Sequence, residues 1–218
     1  MPKLRMNQAI AAAIADEMAA DDRVVLLGED VGDAEGVFKT SEGLLDRFGP
    51  HRVKDTPIAE MGFLGVAVGV AAAGYRPIVE IMFVEFMGVA LDQLSTQAAK
   101  MRYLSRGEFT SPMVVRMSVG PGLGFGAQHS QTLETWFANT PGLKVVEPSG
   151  AESAYGLLRA AIRDEDPVVF LEPRILYGER EEVDVSKYHE YQIGKARTVV
   201  GGTDVTVVAA GQAVPIAV

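Results

Sequence analysis

Short β-branched runs alternate with helix-length segments along most of this chain, and that rhythm constrains the fold more than any other feature. The runs are residues 24–27, 52–54, 78–83, 113–117, 144–147 and 168–171. Between most of them, apolar residues fall at helical spacing over 41–48, 61–73, 86–101, 130–137 and 151–163, the last behind the cap candidate Ser149. Upstream, Asn7 is placed to cap a first helix in which Ile10, Ile14 and Met18 share one stripe. Such alternation predicts an α/β fold, a parallel sheet flanked by helices and joined by right-handed crossovers.

A sheet covered on both faces needs a large core, and 48% hydrophobic residues among 218 supply one. Twenty Lys and Arg against 29 Asp and Glu leave a net charge of −9, which argues against an electrostatic grip on nucleic acid or an anionic membrane. With no cysteine there is no disulfide, iron–sulfur cluster or thiolate zinc site, in keeping with a reducing compartment. Residues 61–75 carry no charge, but Gly62, Gly65, Gly69 and Gly74 interrupt them. They also fall short of the roughly 20 residues a membrane span requires, so they read as a core helix. Residues 1–20 lack the layout of a secretory signal. After Glu172 the rhythm breaks. Residues 178–190 are charged and aperiodic and read as a surface linker, and a new β pattern opens near Tyr191 and runs through Val205 to Ala209. A lone strand cannot bury two faces. The expectation is therefore a first domain over 1–177 and, over 191–218, the beginning of a truncated second one.

In open parallel sheets, ligands gather beyond the carboxyl ends of the strands. Glu29 follows the first run, Glu60 the second, Glu85 and Phe86 the third, and a glycine-rich loop ending at His129 the fourth. Glu60 opens a helix between apolar neighbours. Desolvation raises such a carboxyl's pKa and the helix N-terminus lowers it, leaving a proton to share with a ligand nitrogen. Simple capping accounts for its position equally well. The loop sets glycines at 120, 122, 124 and 126. That spacing misses the dinucleotide fingerprint, because Phe125 stands where its third glycine belongs, and a plain connector is the other reading. Of three histidines, His51 and His189 lie in charged segments, so His129 is the one placed for acid–base chemistry, with a structural role as the alternative. No metal-ligand spacing surrounds it, and no Gly-x-Ser-x-Gly elbow occurs.

Four longer stretches carry a resemblance: Asp55-Thr56-Pro57-Ile58-Ala59-Glu60-Met61-Gly62-Phe63, Ala127-Gln128-His129-Ser130-Gln131, Pro141-Gly142-Leu143-Lys144-Val145-Val146 and Ala161-Ile162-Arg163-Asp164. In that order they resemble the β subunit of the thiamine-diphosphate-dependent E1 component of 2-oxo acid dehydrogenase complexes, from about Asn7 to the chain end. The resemblance implies a transketolase-like pyrimidine-binding domain followed by a C-terminal domain of transketolase type. It implies that Glu60 hydrogen-bonds N1′ of the cofactor's aminopyrimidine and so promotes deprotonation of the thiazolium C2. Phe86 would pack on that ring, where its residue type alone suggests a core position. Glu29 would join a proton relay, where its placement alone suggests a surface turn. His129 would orient or protonate the intermediate as the acyl group passes to a lipoyl arm.

Met113, Ala161, Ile162, Asp164 and Asp166 match a loop that binds potassium in relatives, though many of those have Asn at the position of Asp166. Its plain alternative is a helix end and turn. The Gly-Asp-Gly stretch that holds the diphosphate and Mg²⁺ is missing, and Gly32-Asp33-Ala34 comes nearest. The resemblance then implies an E1 α subunit that supplies the diphosphate half, in a heterotetramer of two α and two β chains. The apolar helix at 61–73 would pack near that interface. The remaining implied partners are a lipoyl-bearing E2 acyltransferase and a small 2-oxo acid or acetoin. Residues 83–93 and 100–103 look more like pyruvate or acetoin members than branched-chain ones. The setting would be a bacterial cytoplasm or, for a processed chain, an organelle. Two other classes stay in view: a Rossmann-like nucleotide-binding oxidoreductase and a non-catalytic interaction subunit.

Overall fold

The computed structural model describes residues 1–121 and 123–218. Gly122, part of the glycine-rich loop and of the dinucleotide reading, lies outside the described residues. From the N-terminus, β1 (Lys3–Arg5) leads into α1 (Met6–Ala20), β2 (Val24–Gly28), α2 (Leu44–Phe48), β3 (Val53–Asp55), α3 (Glu60–Ala72) and β4 (Arg76–Phe83). Then come α4 (Met87–Asp92), α5 (Met101–Leu104), β5 (Val114–Val119), α6 (Glu134–Ala138), β6 (Lys144–Val146), α7 (Ala151–Arg163), β7 (Val168–Pro173), β8 (Arg180–Glu182) and α8 (Ala213–Ala217).

All six expected runs become strands of one parallel sheet, in the order β3-β2-β4-β5-β7-β6. Strand residues alternate between two cores, as a pleat requires. Val24, Leu26, Ile78, Val114, Val168 and Phe170 face the side covered by α1 and α7, while Leu27, Val79, Ile81, Val115, Met117, Val169 and Leu171 face α3 and α4. Ile10, Ile14 and Met18 of α1 are fully buried, each worth about 1.5–3 kcal/mol. The chain leaves β2 toward β3 and leaves β4 toward β5, in opposite directions across the sheet. Adjacent strands whose connections diverge leave a crevice at their carboxyl ends, the switch point where ligands bind in folds of this kind.

Several local expectations are corrected. Asn7 lies inside α1, and its amide donates to the Phe38 carbonyl (2.9 Å); Gln8 Oε1 instead accepts from the Arg5 N–H at the helix start (3.0 Å). Gly150, not Ser149, precedes α7. The single helix expected over 86–101 is broken into a 3₁₀ turn, α4, a π turn over Gln93–Gln97, a second 3₁₀ turn and α5, with Ser95 Oγ bonded back to the Leu91 carbonyl (2.8 Å). Residues 178–190 are not a bare linker. β8 pairs antiparallel with β1, Val183 is fully buried, and the Tyr188 ring lies under the Arg159 guanidinium of α7 at 3.9 Å. Tyr191, expected to open a new sheet, is buried on α7 with its hydroxyl donating to Glu152 Oε2 (2.7 Å). Residues 205–209 form no strand, and Val205, Val207 and Val208 stand exposed, because no neighbouring strand offers them a ladder.

Candidate active-site edge

Unsatisfied polarity collects at the carboxyl edge. Among the described residues, the buried side-chain atoms without a hydrogen-bond partner are Glu29 Oε1, Thr56 Oγ1, Glu85 Oε2, Ser111 Oγ, and Nε and Nη1 of Arg174. All but Ser111 lie just past the carboxyl ends of β2, β3, β4 and β7. A bare buried polar group costs roughly 1–3 kcal/mol, so a cluster of them at a switch point marks a surface built to meet something.

β2 ends at Gly28, whose carbonyl accepts from the Thr56 N–H (2.9 Å). Asp30 takes φ +56° and turns the chain back, while the Asp55 carboxylate receives the Gly32 and Asp33 N–H groups (2.6 and 3.1 Å). The turn leaves Glu29 only 9% exposed. Burial pushes its pKa up, and the charges of Glu60 and Asp30 push it further in the same direction. The structure thus brings Glu29 and Glu60 into one electrostatic neighbourhood. Glu60 is the first residue of α3 and half-buried; the capping position is Ala59, and no side-chain capping bond forms. Its carboxylate accepts no hydrogen bond from the described residues, so it stands free to meet a ligand while complementing the helix dipole.

A second group forms around β4. The His129 ring stands edge-on to Phe83 (4.7 Å between centroids) and to Phe86 (5.4 Å), and Phe83 in turn meets Phe86 (5.4 Å) and Phe125 (5.8 Å). In the loop before His129, Gly120, Gly124 and Gly126 adopt φ of +91°, +73° and +77°, conformations open to glycine and strained for other residues. The loop closes at its base, where the Gly120 N–H donates to the Gln131 carbonyl (2.9 Å) and the Gln131 N–H donates to Glu85 Oε1 (2.5 Å). Spending Gln131 there delays the helix expected over 130–137, and α6 begins only at Glu134. A dinucleotide site requires an α-helix N-terminus opening directly from the glycines, and among the described residues only a 3₁₀ turn over Ala127–His129 follows them. Phe83, Thr56 and Arg174 were not singled out from the sequence. The same carboxyl-edge rule would have reached Arg174, which directly follows β7.

The loop matching a potassium site is filled from within. Arg76 Nη1 donates to the Ile162 and Asp164 carbonyls (3.2 and 3.1 Å), and the Met113 and Ala161 carbonyls accept from the Val168 and Asp164 N–H groups. The Lys144 ammonium meets both Asp164 oxygens (2.7 and 2.8 Å) and Asp166 (3.3 Å), and Arg102 also reaches Asp166 (2.6 Å). Side-chain cations and backbone N–H groups thus engage the oxygens of this loop in this structure. Among the described residues, no three His, Asp or Glu cluster as a metal site. Two cavities, of about 940 and 190 Å³, open on the opposite, amino edge of the sheet near Lys144 and Arg76.

The sequence matches, over residues 2–180, the family described as transketolase, pyrimidine binding domain. It is 48% identical over 210 residues to the pyruvate dehydrogenase E1 component subunit beta-2, mitochondrial, of Oryza sativa, covering 95% of this chain and 56% of that protein. It is 46% identical to the subunit beta of Rhizobium meliloti, covering 97% and 46%. The chain thus spans about half the length of the curated relatives it matches. Among solved structures, a split-gene transketolase described as an inactive beta4 tetramer superposes with a TM-score of 0.64 at 21% identity, covering 84% of this chain and 55% of that one.

Proposed function

The chain belongs to the transketolase pyrimidine-binding domain family, and from that premise we propose that it is the β subunit of a thiamine-diphosphate-dependent 2-oxo acid dehydrogenase E1. One observation carries the reading: a buried, unpartnered Glu29 and a free Glu60 share the switch-point edge with Phe86 and His129. Two carboxyl groups and an aromatic face suit an aminopyrimidine, whose ring nitrogen needs a proton donor, whose amine needs an acceptor and whose plane needs a partner. When bound, thiamine diphosphate supplies the carbon nucleophile and the electron sink.

The chain's own residues bind, orient and move protons. Glu60 holds a proton at the pyrimidine N1′. Glu29, with its raised pKa, keeps a proton within relay distance of that neighbourhood. Phe86 packs on the ring, a contact worth about 0.5–1.5 kcal/mol beyond area burial, and His129 serves the acyl transfer to a lipoyl arm of an E2 acyltransferase. The diphosphate and its Mg²⁺ fall to an E1 α subunit. Here the Gly32 and Asp33 N–H groups, nearest to a diphosphate-binding stretch, are already taken by Asp55. That partner is assigned to the outer face of α3, where Met61 and Val66 are 56% and 59% exposed. The names of the relatives favour pyruvate as substrate, with acetoin kept as the second reading; the family match ends at residue 180, in keeping with residues 191–218 belonging to a further domain. The relatives include a bacterial protein and mitochondrial ones, so a bacterial cytoplasm and an organelle are the two settings in keeping with them. Among the described residues, no helix is long and apolar enough to cross a membrane.

Calorimetric titration with thiamine diphosphate and Mg²⁺ is expected to show tight binding to the co-expressed αβ complex and none to this chain alone. Glu60→Gln in the complex is expected to lower kcat by about 10²–10⁴-fold, the range for a displaced proton-transfer group. Unchanged turnover would leave the non-catalytic interaction subunit as the better reading.

A further inference from the structure

β5 and β7 are neighbours in register, Val119 opposite Pro173, so the residues just past them, Gly120 and Arg174, meet at the carboxyl edge. Arg174 is 2% exposed, and its Nη2 donates to the Gly120 carbonyl (2.6 Å) and to the His129 carbonyl (2.5 Å). Its guanidinium carbon lies 4.9 Å from the Phe83 ring centre and 5.2 Å from that of Phe125. Nε and Nη1 find no acceptor, so burying this cation is costly, and burial lowers its pKa. A side chain held there for packing alone would do better without a charge. What it uniquely provides is one donor group that grips both ends of the segment 120–129, while Glu85 grips Gln131 from the other side.

We infer that Arg174 is a positioning residue: it clasps the base of the glycine-rich loop and so fixes the His129 imidazole against Phe83 and Phe86 for the acyl-transfer step. The inference rests on the reading of this edge as the pyrimidine half of a thiamine diphosphate site. A loop that gains its conformational freedom from glycines at 120, 124 and 126 does not hold a histidine still by itself, and a misplacement of about 1 Å costs on the order of 100-fold.

The test uses the assembled αβ complex with E2. Arg174→Met keeps the side chain's bulk and removes its donors. Turnover through the lipoyl acceptor is expected to fall about 10- to 100-fold, with KM for the 2-oxo acid within about twofold. Turnover with an artificial electron acceptor, which bypasses the lipoyl arm, is expected to stay within about twofold. Arg174→Lys, which still donates to carbonyls, should restore most of the lipoyl-dependent rate. Chymotrypsin cleavage at Phe125 should quicken in the Met variant and not in the Lys variant.

Equal loss in both assays, or no loss in either, overturns the inference. If Arg174→Met does not assemble, Arg174→Gln is combined with His129→Ala. Losses that add overturn the clasp, and a double variant no worse than His129→Ala supports it. A Glu60→Gln complex with full activity would defeat the cofactor reading instead, while the cleavage rates would still report on the clasp.

Discussion

At the scale of single residues, Glu29 shows how a site is made by withholding a partner. The turn at Asp30, held by Asp55, buries the carboxyl and leaves Oε1 bare. Burial first, then the Glu60 charge, raises the folded-state pKa above its unfolded value. A group of that kind contributes stability that is full below the unfolded pKa and is lost as the pH climbs through the folded one. Glu29→Gln removes that loss. Urea melts are therefore expected to show the variant matching the parent in mild acid and exceeding it at neutral pH and above, while the complex loses activity. Equal stability of the two chains at all pH values would contradict the assigned environment. Position in the chain marked Glu29 and Glu60 as candidates; the bareness of the one depends on Asp55 reaching the backbone of Gly32 and Asp33, a contact between distant residues that spacing does not show.

At the scale of elements, α3 has two faces with different reasons for their residues. Phe63, Leu64, Ala67, Val68 and Ala71 face inward. Gly65 faces Gln93, whose Oε1 would lie 3.0 Å from an added Cβ, so a side chain there would have to push the end of Gln93 aside. Gly69 has nothing within 4 Å, and nothing inside this chain requires glycine at that point. A glycine in a helix interior costs about 1 kcal/mol relative to alanine, and under the proposed αβ assembly close approach of the second chain would be the physical return. Gly69→Ala is expected to stabilise the isolated chain by up to about 1 kcal/mol in thermal melts and to weaken αβ assembly in sedimentation. Stabilisation together with undiminished assembly would move the partner off this face. The apolar run was legible as a helix from spacing. Which glycines serve the fold and which serve a partner was not, because spacing carries no information about what stands opposite.

At the scale of the whole molecule, three neighbouring strands are joined by charge. Arg116 on β5 is 1% exposed and donates to Glu172 on β7 (2.7 and 3.0 Å) and to Glu80 on β4 (2.8 Å). The Thr40 and Tyr177 hydroxyls donate to the same oxygens that Arg116 reaches, Glu80 Oε2 and Glu172 Oε2 (3.0 and 2.6 Å). Burial alone pulls the guanidinium's pKa down, and the two carboxylates more than reverse it. Replacing Arg116 with Met strands two buried carboxylates. Equilibrium unfolding is expected to show a loss of about 3–5 kcal/mol at pH 7 that shrinks as the pH falls and those carboxyls take up protons. A loss below about 1 kcal/mol at pH 7 would show that water or rearrangement satisfies them.

Local periodicity is a property of a few neighbouring residues, so the amino-acid sequence by itself determined the six strands, the buried stripe of α1 and the α/β class. Through the carboxyl-edge rule it also pointed to Glu29, Glu60, Phe86 and His129. The tertiary structure alone decided what those residues meet. The clasp from Arg174 spans 54 residues to Gly120 and 45 to His129, and it exists only because β5 and β7 lie side by side with β6 beyond them. The potassium-type loop filled by Arg76 and Lys144, and the docking of 180–191 on β1 and α7, arise in the same way. Strand order brings distant side chains together, and no short-range pattern encodes it.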